Sequence, residues 1–151
     1  MAKRGLIGIV MTIWVLFSMI VIPLYTLSLL ERGISYGGQL VKISIVRLNV
    51  GMITLLGLIA MMLTAFSYAF GGKVDAFLTF IKYMVVAYYE WTWAQGIKEL
   101  VIAVNGHTIN VGIYLDPWIM LVIAGSLLLG LIKAIYKFLE AKEESESQVF
   151  K

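Results

Sequence analysis

The sequence predicts an all-α membrane protein: an antiparallel bundle of four transmembrane helices carrying a small extracytoplasmic β cap. Three observations predict it. Apolar residues make up 61% of the 151 and charged residues 14%, against roughly 45–50% and 25% in soluble domains, and mean hydropathy is +0.93. Four apolar runs are each long enough to cross a bilayer, which takes about 20 helical residues at about 1.5 Å of rise each. The two longer segments between runs are rich in β-branched residues.

The first run, 5–30, follows Lys3 and Arg4. It outlasts the roughly 7–15 apolar residues of a signal peptide and is followed by no A-x-A site, so it reads as a retained helix. Pro23 removes one backbone donor and predicts a kink. Next, Gly37-Gly38 signals a turn, and 41–48 reads as a strand with Val41, Ile43 and Ile45 on one face. The second run is 50–70 and the third 74–97. Gly71-Gly72-Lys73 joins them as a tight turn, which makes them antiparallel neighbours.

Residues 99–113 predict a hairpin around Asn105-Gly106, because a two-residue type I′ turn needs positive φ at both positions. That turn pairs Val104 with His107 and Ile102 with Ile109. Leu100, Ile102, Val104, Ile109, Val111 and Ile113 then share one aliphatic face that calls for cover. A lone hairpin is marginal in water, so strand 41–48 is expected to pair with it and leave a free edge that Lys42 and Arg47 blunt. Asp116-Pro117-Trp118 opens the fourth helix, 117–138, with a capping Asp, a proline at the first helical position and an interfacial tryptophan. Residues 1–139 thus form the membrane domain. The acidic tail 140–151 is expected to extend the last helix briefly and then become partly disordered.

Charge sets the orientation. With the N-terminus inside, Lys3, Arg4, Lys73, Lys133, Lys137, Lys142 and Lys151 face the cytoplasm, and Arg32, Lys42, Arg47 and Lys98 face out. This bias places both termini in the cytoplasm of a cell-membrane protein. The net charge of +3 forms no basic stripe, and the chain has no Gly-rich phosphate loop, so nucleic acid is not an expected partner. The expected partners are the lipid bilayer and other membrane subunits, itself included.

The chain has no cysteine and a single histidine, His107. It therefore supplies no disulfide, thiolate nucleophile, iron–sulfur cluster, bis-His haem or Cys-based zinc site. Nucleophile-elbow and metalloprotease motifs are absent. Neither catalytic residues nor a cofactor or metal site are expected.

Three constellations stand out. Ser126, Gly130 and Ala134 form a small-residue row on the fourth helix, and Ala60 and Thr64 a shorter one on the second. Such rows let helices approach closely, within one protomer or at an oligomer seam. Lys82 and Glu90 are ionisable residues inside the third run, costing about 2.5–3.5 kcal/mol each at the bilayer centre. Eight residues apart, about 12 Å of rise, they are too distant to pair directly. They snorkel, Lys82 inward toward Asp75 and Glu90 outward among Tyr88, Tyr89, Trp91 and Trp93, or they pair with a neighbouring helix, or they line an ion path. The third constellation is the aliphatic cap face, an outer interface of Val41, Ile43, Ile45, Ile102, Val104, Ile109, Val111 and Ile113.

The order helix, strand-bearing loop, helix, Gly71-Gly72-Lys73 turn, helix, Asn105-Gly106 hairpin, helix resembles the claudin-like tetraspan plan along the whole chain. The claudin signature of Trp, Gly, Leu, Trp and two cysteines in the first loop is absent, that loop is shorter, and the hairpin sits in the second loop. No functional residue carries over. The resemblance implies an outer β layer on a four-helix bundle that meets partners edge to edge.

Composition and pattern together point to a non-catalytic structural or accessory subunit that assembles laterally. The alternative is a channel or transporter subunit with a path between protomers near Lys82 and Glu90.

Overall fold

The computed structural model describes residues 2–36, 38–45, 48–114 and 116–149, with the side chains of 2–4, 36 and 144–149 left aside. The first helical stretch is α1 (Ala2–Leu16), a π turn (Phe17–Val21) and α2 (Ile22–Arg32). Then come β1 (Ile34–Tyr36), β2 (Gln39–Ile45), α3 (Val50–Phe70), α4 (Gly72–Ile97), β3 (Glu99–Val104), β4 (His107–Gly112) and α5 (Asp116–Val149).

The bend in the first stretch has a chemical cause. Pro23 has no N–H to offer the Met19 carbonyl four residues back, and the turn just upstream widens into the π form. Tyr89 of α4 donates its hydroxyl to that carbonyl at 2.7 Å. Ile20, within the π turn, is buried, and a Cβ at Gly57 of α3 would come within 2.6 Å of its Cγ1. The π turn, α3 and α4 thus enclose the core of Ile53, Leu56 and Tyr89, with Met19, Leu48, Met52, Val85 and Trp93 packed around it.

Helix contacts follow chain order: α1 against α3, α3 against α4, α4 against α5. The Asn49 side chain caps α3 by accepting from the Met52 N–H at 3.0 Å. Gly71 (φ 67°) and Gly72 (φ 56°) turn the chain at its far end, a left-handed pair of conformations that glycine adopts without strain. This turn, the start of α1 and the end of α5 lie at one end of the helices, and the sheet lies at the other.

The sheet has four strands in the order β1-β2-β3-β4, all antiparallel. Asn105 (φ 50°) and Gly106 (φ 85°) form the expected turn, with Val104 opposite His107 and Ile102 opposite Ile109. The cap is larger than expected. Three-residue β1 is too short to show a period, yet it pairs Ile34 with Val41. Strand β2 is therefore interior, held by β1 and β3, and the edges are β1 and β4, not the 41–48 run. Gly37, Val46 and Arg47 lie outside the described residues.

The aliphatic face is less covered than expected. The end of α2 packs on β2. Val41, Ile43, Ile45, Ile102, Val104, Val111 and Ile113 are half-buried, and Ile109 on β4 is 58% exposed.

Among the described residues, three helical stretches are long and apolar enough to cross a membrane: Gly5–Arg32, Val50–Phe70 and Asp116–Glu143. The sequence predicts four. The exception is α4, whose 26 residues include Lys73, Asp75, Lys82 and Glu90. Two of its polar residues, Asp75 and Thr79, are buried, while Val74, Phe77, Phe80, Met84 and Tyr88 form an exposed stripe at helical spacing. Much of the rest is uncovered too. The accessible surface is 10380 Å², against about 7,700 Å² for a soluble monomer of this mass. A membrane protein accounts for that excess.

Helix α5 also departs from the expected tail. It continues to Val149 instead of fraying soon after 138, because Ala141, Lys142, Glu143 and Glu144 are strong helix formers even though they are not apolar.

Candidate functional site

The chemistry-bearing side chains collect along the seam between α4 and α5. The helices are antiparallel, so partners climb one as they descend the other. From the sheet end, Lys98 pairs with Asp116 at 2.6 Å, Ser126 donates to Glu90 Oε1 at 2.8 Å, Gly130 lies against Tyr83, and Lys137 pairs with Asp75 at 2.6 Å.

The pair at the turn end is a closed network. Asp75 Oδ1 accepts from Ser67 Oγ in the last turn of α3, from Thr79 Oγ1 at 3.3 Å and from Lys137 Nζ. Lys137 also donates to Thr79 Oγ1 at 2.9 Å and to Ser67 Oγ at 3.4 Å, and its ammonium lies 5.9 Å from the centre of the Tyr68 ring. All three ammonium donors therefore have acceptors. Such charge-assisted bonds are the strong kind, and here they tie α3, α4 and α5 together.

Asp75 takes an ion-pair partner the sequence did not suggest, Lys137 from the facing helix, and Lys82 of its own helix stays within its electrostatic reach. Lys82 is half-buried with its ammonium 5.4 Å from the Tyr83 ring centre. Lys133 lies 5.2 Å from the same ring and donates to its hydroxyl at 2.6 Å.

Farther along, Glu90 accepts from Ser126 of the neighbouring α5, one of the arrangements the sequence leaves open, and it lies beside the aromatic rings of Tyr89, Trp93 and Trp118. Its Oε2 is buried with no hydrogen-bond partner, and so is Trp93 Nε1, one helical turn away. An unmet buried polar atom costs about 1–3 kcal/mol. Both residues line a groove of about 310 Å³ with Tyr89, Trp118, Ile119 and Val122.

The small-residue row sits on the same seam. Ser126 bonds Glu90. Gly130 is buried, and a Cβ there would overlap that of Tyr83. Ala134 is half-buried in a second groove with Ala76, Phe77 and Phe138, where the Lys73 ammonium lies 5.7 Å from the Phe138 ring centre. On α3, Ala60 and Thr64 are buried, and Thr64 Oγ1 donates to the Ala60 carbonyl at 2.8 Å. His107 is exposed beside the hairpin turn.

Sequence reasoning missed Lys137, Ser67, Thr79 and Trp93 as members of the seam. A signal existed for Lys137: it follows Ser126, Gly130 and Ala134 at spacings of four, four and three, which keeps it on their face. For Ser67 the only clue was its place just before the glycine turn that Asp75 follows. Among the described residues no three of His, Cys, Asp and Glu come together as a metal site would need. No family model, no curated protein and no solved structure matches the chain.

Proposed function

We propose that this chain is a non-catalytic, four-span structural or accessory subunit of the cell membrane. It assembles laterally through the β cap, with both termini cytoplasmic and the cap outside. The observation that carries the reading is the β4 edge. Six residues long, it contains no Lys, Arg, Asp, Glu or Pro, the residues that normally blunt an exposed edge. The half-covered face with Ile109 at its margin continues it. Strand addition at such an edge supplies backbone hydrogen bonds, and the aliphatic face adds apolar burial.

The fourth span is α4. Its uncharged outward stripe suits lipid, and its two acidic residues turn inward, Asp75 to Ser67 of α3 and Lys137 of α5 and Glu90 to Ser126 of α5. The same inward turn weighs against an ion path between protomers at Lys82 and Glu90.

The chain has no cysteine, so one introduced thiol is unique. Thr108→Cys and Asn110→Cys place it along β4. Oxidation in native membranes should give an adduct at twice the chain mass if copies pair, or one containing a second protein if the chain is an accessory subunit. Ile109→Glu should abolish the adduct and reduce the native mass while the helices still insert. Monomer at both positions, together with an unchanged native mass for Ile109→Glu, overturns the reading.

A further inference from the structure

Lys82 of α4 and Lys133 of α5 meet at one aromatic ring, and nothing in the assembly reading uses them. Their ammonium groups lie 5.4 and 5.2 Å from the centre of the Tyr83 ring. Lys137, one turn farther along α5, acts on the same Lys82 charge. Three cations thus share this stretch of the seam. The carboxylate that faces them is Asp75, which is already bonded to Lys137, Ser67 and Thr79. Among the described residues no ion pair engages Lys82 or Lys133. Positive charge is therefore in excess here, inside a span where a lone lysine costs about 2.5–3.5 kcal/mol at the bilayer centre.

The cluster selects an anion with several oxygens. Lys133 gives one N–H to the Tyr83 hydroxyl at 2.6 Å, which leaves the ammonium two more donors and leaves the phenol its own hydrogen to donate. Lys82 brings a second ammonium. A phosphate accepts from all of them at once, and flexible lysine stems let both ammonium groups close on it. The open side faces lipid. Lys133 is exposed, and Leu129 and Ile132, the next positions toward the bilayer centre, are 53% and 54% exposed. They offer acyl chains an apolar wall. Lys133 stands four residues, about 6 Å of helix rise, from the level of Lys137, and lysines at such a depth reach back toward the headgroups.

We propose that Lys82, Tyr83 and Lys133 hold the phosphate of an anionic phospholipid from the leaflet at the turn end, its acyl chains along Leu129 and Ile132. The inference rests on the reading of α4 as a span and is independent of pairing at β4. On the orientation proposed above, this is the cytoplasmic leaflet, the one whose surface is negative.

The test titrates the full chain in mild detergent with dioleoyl phosphatidylglycerol or dioleoyl phosphatidylcholine and counts bound lipid by native mass spectrometry. Phosphatidylglycerol should bind the more tightly. Lys133→Gln, at an exposed position where folding is not at stake, should weaken it about tenfold, the worth of one charge-assisted bond. Lys82→Gln should do the same, and Lys133→Arg should keep the affinity. Lys42→Gln removes an equal charge from β2 at the other end and should change nothing. Inorganic phosphate in excess should not displace the lipid. Equal binding of the two lipids, equal loss in Lys42→Gln and Lys133→Gln, or displacement by inorganic phosphate overturns the proposal. The span is checked apart, with Lys73→Cys and His107→Cys labelled by an impermeant maleimide in sealed vesicles. Labelling of both from one side removes the span and this site with it, whereas labelling from opposite sides with equal lipid binding removes the site alone.

Discussion

At the turn end of the α4–α5 seam, one oxygen of Asp75 receives three donors and the ammonium of Lys137 meets three acceptors. About 22 Å along α4, Glu90 has a single donor, and a carboxylate oxygen and an indole N–H stay unmet. The two carboxylates share a helix and a facing partner, yet only one is satisfied. The difference lies in what surrounds them. Asp75 sits where three helices meet and two hydroxyls are within reach. Glu90 sits beside a groove lined by rings and aliphatic carbons. The first arrangement ties three helices together, whereas the second joins two helices through a single hydrogen bond.

Substitutions should separate the two ends. Lys137→Met removes the ion-pair partner that the buried Asp75 has on α5 and should cost about 3 kcal/mol, read from unfolding in mixed micelles by tryptophan fluorescence. Adding Asp75→Leu should recover at least half of that loss, since an empty pair costs less than a broken one. A double variant less stable than Lys137→Met alone would mean that the pair does not act as a unit. Gly130→Ala, midway, should cost about 2 kcal/mol by overpacking against Tyr83, because the clash is with a Cβ that moves only with its backbone. At the far end Ser126→Ala should cost about 1 kcal/mol. Glu90→Leu should be neutral or stabilising, since it removes a polar atom that nothing satisfies. A loss as large as that of Lys137→Met would show that the two ends are energetically alike.

What could be read in advance follows a physical boundary. Contacts set by neighbours in sequence were legible. Asn105-Gly106 dictates its own backbone angles, and from them the Val104–His107 register. The glycine turn dictates that α3 and α4 are neighbours. Contacts set by which helix faces which were not. Periodicity placed Lys82 and Asp75 on one face of α4, but it carries no information that α5 would bring Lys137 to that face first. Strand β1 escaped for a third reason: three residues give a period of two nothing to repeat. The continuation of α5 escaped because apolarity, which marks a span, is not what makes a helix.

The π turn at Phe17–Val21 makes the length of the first helical stretch matter more than its composition. One additional residue is accommodated there, so α1 and α2 are out of phase by about 100°. Replacing Ser18 with Ala should change little. Deleting it should let the stretch close into regular α-helix and swing Gly8 off Tyr68, against which a Cβ at that position would come within 2.7 Å. For this stretch, losing a codon is a graver lesion than changing one.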